Sequence, residues 1–222
     1  MEIKLKVTLK KHEVFYEPFK HIVYKDCIEG NQEDITSAAI KLGEEKKKSL
    51  VENDNYSKIE IKQSDGPLKD LFAFMSSQEL ADICSKHLDL RKLEPDPEYD
   101  GGGLTITGIG KFLRYHYDFP YSNVAKKYRV VNALLYLSNP KIKGGELHLL
   151  DPKTGTVEAS VSPKFGTLAI FSTSDQTPHG VSKIYKHPRI SINSYFYSDK
   201  PLDERIEPSK TVWLNSMEGM KH

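Results

Sequence analysis

Beyond residue 103 the chain is built of short apolar runs separated by Gly, Pro, Asn and Asp, and this texture limits the fold more than any other feature. The runs fall at residues 104–109, 112–118, 130–137, 146–150, 157–161, 167–171, 180–184 and 189–197. Short strands at spacings of roughly ten residues, with turn residues between them, build antiparallel sheets packed face to face as a sandwich or jelly roll. A parallel sheet would need a crossover helix after each strand, and no stretch here has that spacing. The expected fold is mainly β, a jelly roll.

The segment from Glu94 to Gly103, with two prolines and three consecutive glycines, marks where helical spacing gives way to strands. Upstream, residues 32–48 carry Ile35, Ala38, Ala39 and Leu42 at helical intervals. The tail of that stretch, residues 44–48, is two glutamates and three lysines, a solvated face and not a polyanion patch. Pro67 opens a second helical stretch whose Leu68, Leu71, Phe72 and Met75 share a face. A third begins at Ser76 or Ser77, where Ser76 and Glu79 have the capping-box spacing, and Leu80, Ile83, Cys84, His87 and Leu88 form an amphipathic stripe. These helices are expected to buttress a sheet. Residues 3–9 and 13–16 read as a pair of strands turning near Lys10 and Lys11, and residues 57–62 as a half-buried strand.

A length of 222 residues suits one domain: supporting strands and helices over 1–98, a jelly-roll core over 99–198 and a tail over 199–222. In that tail Trp213 reads as a packing anchor. Lys and Arg number 32 against 31 for Asp and Glu, so a net charge of +1 gives no electrostatic ground for nucleic acid or a membrane surface as partner. The N-terminus alternates charged with apolar residues and lacks the apolar stretch of a signal peptide or span, so the expectation is a soluble, cytoplasmic protein. Cys27 and Cys84, the two cysteines, have no zinc-site or disulfide-framework spacing.

The stretch from Arg114 to Phe119 holds His116 and Asp118 two positions apart. On a strand, residues two apart share a face and can meet one metal ion. The same pattern recurs at His87 and Asp89, but there it lies on an expected helix, where residues two apart point about 200° away from each other. His116 and Asp118 are therefore the candidate ligands, and His87 a helix histidine. A third ligand must come from His148, His179 or His187. His179 stands out because Arg189 follows ten residues later and opens Arg189-Ile-Ser191 on the next strand; a hairpin between the two strands would carry the guanidinium toward the metal. At that offset His148 has Glu158 and His187 has Tyr197, neither a fixed cation. His148 reads as a sheet histidine and His187 as part of a turn.

Two histidines and one carboxylate on one face of an octahedral ion leave three positions open, the facial triad of non-haem Fe(II) oxygenases. A bidentate 2-oxo acid and dioxygen fill such positions. The far carboxylate of the 2-oxo acid then needs a planar, permanently charged donor, which Arg189 supplies, with the Ser191 hydroxyl on the same strand face.

With these residues in view, the chain resembles the Fe(II)/2-oxoglutarate-dependent dioxygenase superfamily, in particular its prolyl 4-hydroxylase-like branch. The resemblance covers residues 99–197 and rests on an ordered series: Gly101 to Leu104, Gly110 to Leu113, His116-Tyr-Asp118, Arg129 to Leu137, Gly144 to Leu147, Pro163 to Phe171, Pro178 to Val181 and Arg189-Ile-Ser191. It implies a double-stranded β-helix, the cupin-like jelly roll, with N-terminal helices packed outside. It further implies that His116, Asp118 and His179 bind Fe(II), and that Arg189, Ser191 and Tyr136 hold the 5-carboxylate of 2-oxoglutarate as cosubstrate, with ascorbate as a possible reductant. The implied activity is hydroxylation of an unactivated C–H bond of a small molecule or an amino-acid residue, consuming dioxygen and releasing succinate and CO2. Protein-modifying prolyl hydroxylases usually carry a cosubstrate-contacting tyrosine on the strand before the triad strand. Residues 104–108 have none, so a peptidyl-prolyl 4-hydroxylase is the alternative here and not the lead. An alternative of another class, a non-redox cupin-like metal-binding protein, has no use for an arginine anchor at that offset.

Overall fold

The computed structural model describes residues 5–46, 50–53, 56–62, 66–203 and 211–214, the side chains of 50–60 excepted. The expected strand and helix ends at residues 3–4 and 47–48 lie outside these, as does most of the tail.

The chain opens with four strands, β1 (Lys6–Val7), β2 (His12–Phe15), β3 (His21–Tyr24) and β4 (Ile28–Glu29). The first two do not pair with each other, against expectation: β1 pairs with β4, and β2 forms a hairpin with β3. The strand missed was β3, His-Ile-Val-Tyr, buried on both faces, whose unbroken apolarity hides the alternation that marks a half-buried strand.

Helix α1 (Gln32–Glu45) starts at Asn31, whose side chain accepts from the Asp34 N–H at 3.1 Å, and buries Ile35, Thr36 and Ala39. After β5 (Leu50–Asn53) and β6 (Tyr56–Ile61) come α2 (Lys69–Met75), which buries Leu71, Phe72 and Met75, and α3 (Gln78–Leu88), which buries Leu80, Ala81, Cys84 and Leu88. The cap of α3 is Ser77, whose hydroxyl accepts from the Leu80 N–H. Ser76 instead donates to the Phe72 carbonyl, so the capping box read from Ser76 and Glu79 does not form. The helix ends on Asp89 in the left-handed conformation, two residues past His87, so His87 and Asp89 belong to a helix terminus.

The remaining strands are β7 (Glu94–Pro95), β8 (Gly103–Thr107), β9 (Leu113–Tyr117), β10 (Tyr121–Ser122), β11 (Lys127–Tyr136), β12 (Lys143–Gly144), β13 (Leu147–Leu150), β14 (Val157–Val161), β15 (Leu168–Ser172), β16 (His179–Val181), β17 (Ile184–Lys186), β18 (Arg189–Ser198) and β19 (Val212–Trp213). Apart from β12 and β17, which pair with each other, they assemble with β2, β3, β5 and β6 into two facing antiparallel sheets. The larger has the order β2-β3-β15-β11-β18-β8-β6-β5, with β10 beside β11 and β7 beside β18; the smaller runs β14-β13-β16-β9-β19.

The period of two along each strand of the larger sheet sorts its side chains between two cores. Ile22, Leu104, Val131, Ala133, Leu135, Leu168, Ile170, Ile190, Ile192 and Phe196 face the helices, joined by Ile35, Leu71, Met75, Leu80 and Cys84. The alternate positions Val23, Leu134, Tyr136, Ala169 and Phe171 face the smaller sheet and meet Leu147, Leu149 and Val161. The helices thus hold the outer face of the larger sheet, and Thr36 pins α1 to it by donating to the Leu137 carbonyl at 2.9 Å. Toward β9, β8 and β18 the space between the sheets opens into a cavity lined by polar as well as apolar groups.

Candidate active site

His116 lies on β9 with its ring turned between the sheets, Asp118 just past the end of that strand, and His179 at the start of β16. The two strands pair so that His116 and His179 are direct partners. Gly180 permits this approach: a Cβ there would come within 2.6 Å of the Tyr115 ring and 2.7 Å of the Leu113 carbonyl oxygen. All three residues are buried, and one ligand atom from each lies within 4.8 Å of the others. His116 Nε2 is 3.6 Å from Asp118 Oδ1, and His179 Nε2 is 3.7 Å from Asp118 Oδ2. Neighbouring ligands on an octahedral ion with bonds of about 2.1 Å stand roughly 3 Å apart, so a small closure suffices.

The tautomers are set from behind. His116 donates Nδ1–H to the Arg114 carbonyl at 2.9 Å and His179 donates Nδ1–H to the Thr177 carbonyl at 3.0 Å, which leaves each Nε2 lone pair for a metal. Burial, then the neighbouring His116, push the His179 pKa down to about 4, so this imidazole is neutral at physiological pH. Burial alone would raise Asp118, but His179, His116 and Arg129 around it outweigh that and hold the carboxyl well below its usual range. Two imidazole Nε2 atoms and one carboxylate are a donor set that suits Fe(II).

Arg189 opens β18 on the opposite sheet and lines the same cavity of about 300 Å³ as the three candidate ligands. The expected hairpin is absent. β16 belongs to the smaller sheet and β18 to the larger, so the chain crosses between them by way of β17, which pairs with β12. The guanidinium therefore meets the metal position across the cavity. It donates from Nη2 to the Tyr136 hydroxyl at 3.1 Å, from Nη1 to Ser191 Oγ at 3.2 Å and from Nε to the Gly145 carbonyl at 3.2 Å. Tyr136 and Ser191 are register partners on β11 and β18, which brings all three together. The strand without a tyrosine, β8, contributes Thr105, within 3.0 Å of Ser191 Oγ, and Thr107, opposite Arg189 and on the cavity wall.

The other histidines stand apart. His148 points to the outer face of the smaller sheet, its Nδ1 3.0 Å from the Tyr115 hydroxyl. His187 sits at φ 62° between β17 and β18. His87 Nε2 lies 2.8 Å from the Tyr24 hydroxyl, and the residue is not part of the cluster of candidate ligands.

Sequence reasoning left several cavity residues without a role. Arg129 is buried with its guanidinium between the Phe119 and Tyr195 rings, 3.5 and 3.4 Å from their centroids. Asn132 follows on the same strand. Trp213 does anchor the tail, since β19 pairs with β9, but it also lines the cavity, its ring 5.1 Å from that of His116. Asn132 could have been found by extending the alternation of β11 back from Tyr136; Arg129 falls outside that alternation because the register shifts between Arg129 and Val131, and Trp213 left no such signal, because its pairing is long-range.

Residues 102–197 match the model of the 2OG-Fe(II) oxygenase superfamily. This stretch, a little under half of the chain, is similar to that superfamily. Its relatives in sequence are prolyl hydroxylases: chicken prolyl 3-hydroxylase 2 is 36% identical over 98 residues, covering 44% of this chain and 14% of that protein. Mouse prolyl 3-hydroxylase 3 is 40% identical over 68 residues, covering 31% and 9%. The chain thus spans only a small part of the curated relatives it matches. In fold it is similar to a prolyl 4-hydroxylase from Phytophthora capsici (TM-score 0.56, 21% identity, 80% of this chain and 58% of that one). It is also similar to a viral collagen prolyl hydroxylase from Paramecium Bursaria Chlorella virus-1 (TM-score 0.55, 16% identity, 81% and 96%). The fold is accordingly the jelly roll of 2OG oxygenases. The superfamily that residues 102–197 resemble uses Fe(II) and 2-oxoglutarate, and this match favours the dioxygenase reading over the non-redox cupin.

Proposed function

We propose that this chain is an Fe(II)- and 2-oxoglutarate-dependent hydroxylase in which His116, Asp118 and His179 hold the metal. Arg189 holds the 5-carboxylate of the cosubstrate, with Ser191 and Tyr136 as its supports. The observation that carries the reading is that two imidazole Nε2 atoms, a carboxylate and a buried, pre-oriented guanidinium line one cavity. Bound Fe(II) and 2-oxoglutarate supply oxidative C–H hydroxylation with release of succinate and CO2. The protein's part is to orient and enclose. The Arg114 and Thr177 carbonyls keep each Nδ1 protonated and each Nε2 free. Gly145, Ser191 and Tyr136 fix the plane of the Arg189 fork before a carboxylate arrives, which lowers the ordering cost of binding. Leu134, Leu147 and Val181 wall the cavity with apolar surface and limit access of water.

The substrate in this proposal is a small molecule or an amino-acid residue, with dioxygen as co-reactant. The names of the sequence relatives favour a prolyl residue or a cyclic amino acid over a sugar-linked metabolite. Residues 1–222 would act as one unit, since α1, α2 and α3 share a core with the sheet that carries Arg189. No described helix is long and apolar enough to cross a membrane. A cytoplasmic location is part of the proposal, supported by two buried, unpaired cysteines. The test is succinate formation from 2-oxoglutarate with Fe(II) and dioxygen, screened against free amino acids, proline-containing peptides and sugar nucleotides, with products identified by mass. Absence of any 2-oxoglutarate turnover, with or without these compounds, would refute it.

A further inference from the structure

Asn132 stands on β11 at a position where the alternation of the sheet turns its side chain between the two sheets, and it is 4% exposed. It lines the cavity with the three candidate metal ligands. Its Nδ2 donates to Asp118 Oδ2 at 3.1 Å, while its Oδ1 is buried with no hydrogen-bond partner. The amide orientation follows from chemistry: a carboxylate accepts only, so the reversed amide would set oxygen against oxygen. The arrangement is therefore a satisfied donor and an unsatisfied acceptor on one buried group.

A residue selected for packing alone would not leave that acceptor orphaned. Asn132 has Phe171 and Tyr195 as its strand partners, and the next inward position along β11 is Leu134. An apolar side chain there would have no acceptor of its own to satisfy. What the amide provides instead is a fixed N–H on the carboxylate between the two imidazoles. Asp118 has Oδ1 facing His116 and Oδ2 facing His179, and rotation of its carboxylate would spoil both.

We propose that Asn132 is a positioning residue for the metal-ligating carboxylate: it holds the plane of Asp118 and so sets metal affinity and ligand geometry. The inference rests on the metal-site reading of His116, Asp118 and His179.

The test uses Co(II) as probe, titrated anaerobically and followed by its visible absorption, on the full chain and on Asn132→Leu and Asn132→Ala. Loss of a group that orients a metal ligand typically weakens metal binding by 10- to 100-fold. Both variants are expected to weaken Co(II) by about that factor and to alter the band shape. Both variants also remove the N–H that the buried Asp118 carboxylate accepts, so the metal-free forms are expected to melt lower, the Ala variant more because it leaves a void as well. A purely structural role predicts the lower melting temperatures with Co(II) affinity and spectrum unchanged; that result overturns the proposal. If the parent chain fails to bind Co(II), or binds it equally after His179→Ala, the metal-site reading itself fails and takes this inference with it.

Discussion

Replacing Arg189 with lysine tests the cosubstrate anchor at its most specific property, the planar fork. The charge is kept. What is lost follows from the three bonds that now hold the guanidinium to Tyr136, Ser191 and Gly145 in a buried pocket. A lysine ammonium is a point donor that cannot hold those partners and also meet both oxygens of a carboxylate. The net loss is about one hydrogen bond to a charged group, roughly 1.5–3 kcal/mol. That converts to a 2-oxoglutarate affinity weaker by about 10- to 150-fold. The Tyr136 hydroxyl, fully buried, would also lose its donor, so the variant is expected to melt a few degrees lower. The measurement is an anaerobic calorimetric titration of 2-oxoglutarate into Mn(II)-loaded protein, with Mn(II) affinity measured separately as a control. A 2-oxoglutarate dissociation constant within twofold of the parent, with Mn(II) binding intact, would show that the anchor lies elsewhere.

Three further outcomes follow from the geometry. His179→Ala removes one of the three ligand atoms clustered within 4.8 Å, and is expected to abolish Fe(II)-dependent succinate formation and weaken metal binding at least tenfold by competition titration. His87→Ala removes the partner of the Tyr24 hydroxyl and a ring packed against His12, both away from the triad, so metal affinity should be unchanged while stability falls by about 1 kcal/mol in a urea titration; lost metal binding would mean that the wrong histidine–aspartate pair was chosen. Trp213 is the single tryptophan of the chain and its ring lies 5.1 Å from that of His116, so a paramagnetic ion such as Co(II) at the triad should quench its fluorescence saturably, with a midpoint equal to that from absorption. Unchanged fluorescence on saturation would place the tail strand away from the site in solution.

How much of this was legible in the residues depends on the range of the interactions that fix each feature. The strands β8, β9, β11, β13, β14, β15, β16 and β18 were readable as short apolar runs, with turns between them that carry Gly, Pro, Asn or Asp; the two- and three-residue strands β10, β12 and β17 are too short to leave such a pattern. The pairing of the N-terminal strands was not readable. Partner choice between β1, β2, β3 and β4 is decided by contacts across the chain, such as the pairing of β3 with β15, and β3 itself carries no alternation because both its faces are covered. The cap of α3 was misplaced by one residue for a related reason: Ser76 and Ser77 both suit a cap, and the choice falls to Ser77 because Ser76 is still held by the last turn of α2.

The site divides along the same line. His116 and Asp118 were readable from a period of two on a strand, and the decoy at His87 from its helical surroundings. Arg189 was found through its offset from His179, but the geometry assumed for that offset was wrong: the ten residues cross from one sheet to the other and do not form a hairpin. The correct residue emerged because a guanidinium facing a metal across a cavity needs only the right length of chain to reach the opposite wall. Asn132 shows what such spacing cannot reveal. Its functional mark is an acceptor left without a partner beside a donor that has one, and that asymmetry exists only once β11 and the end of β9 have been brought together.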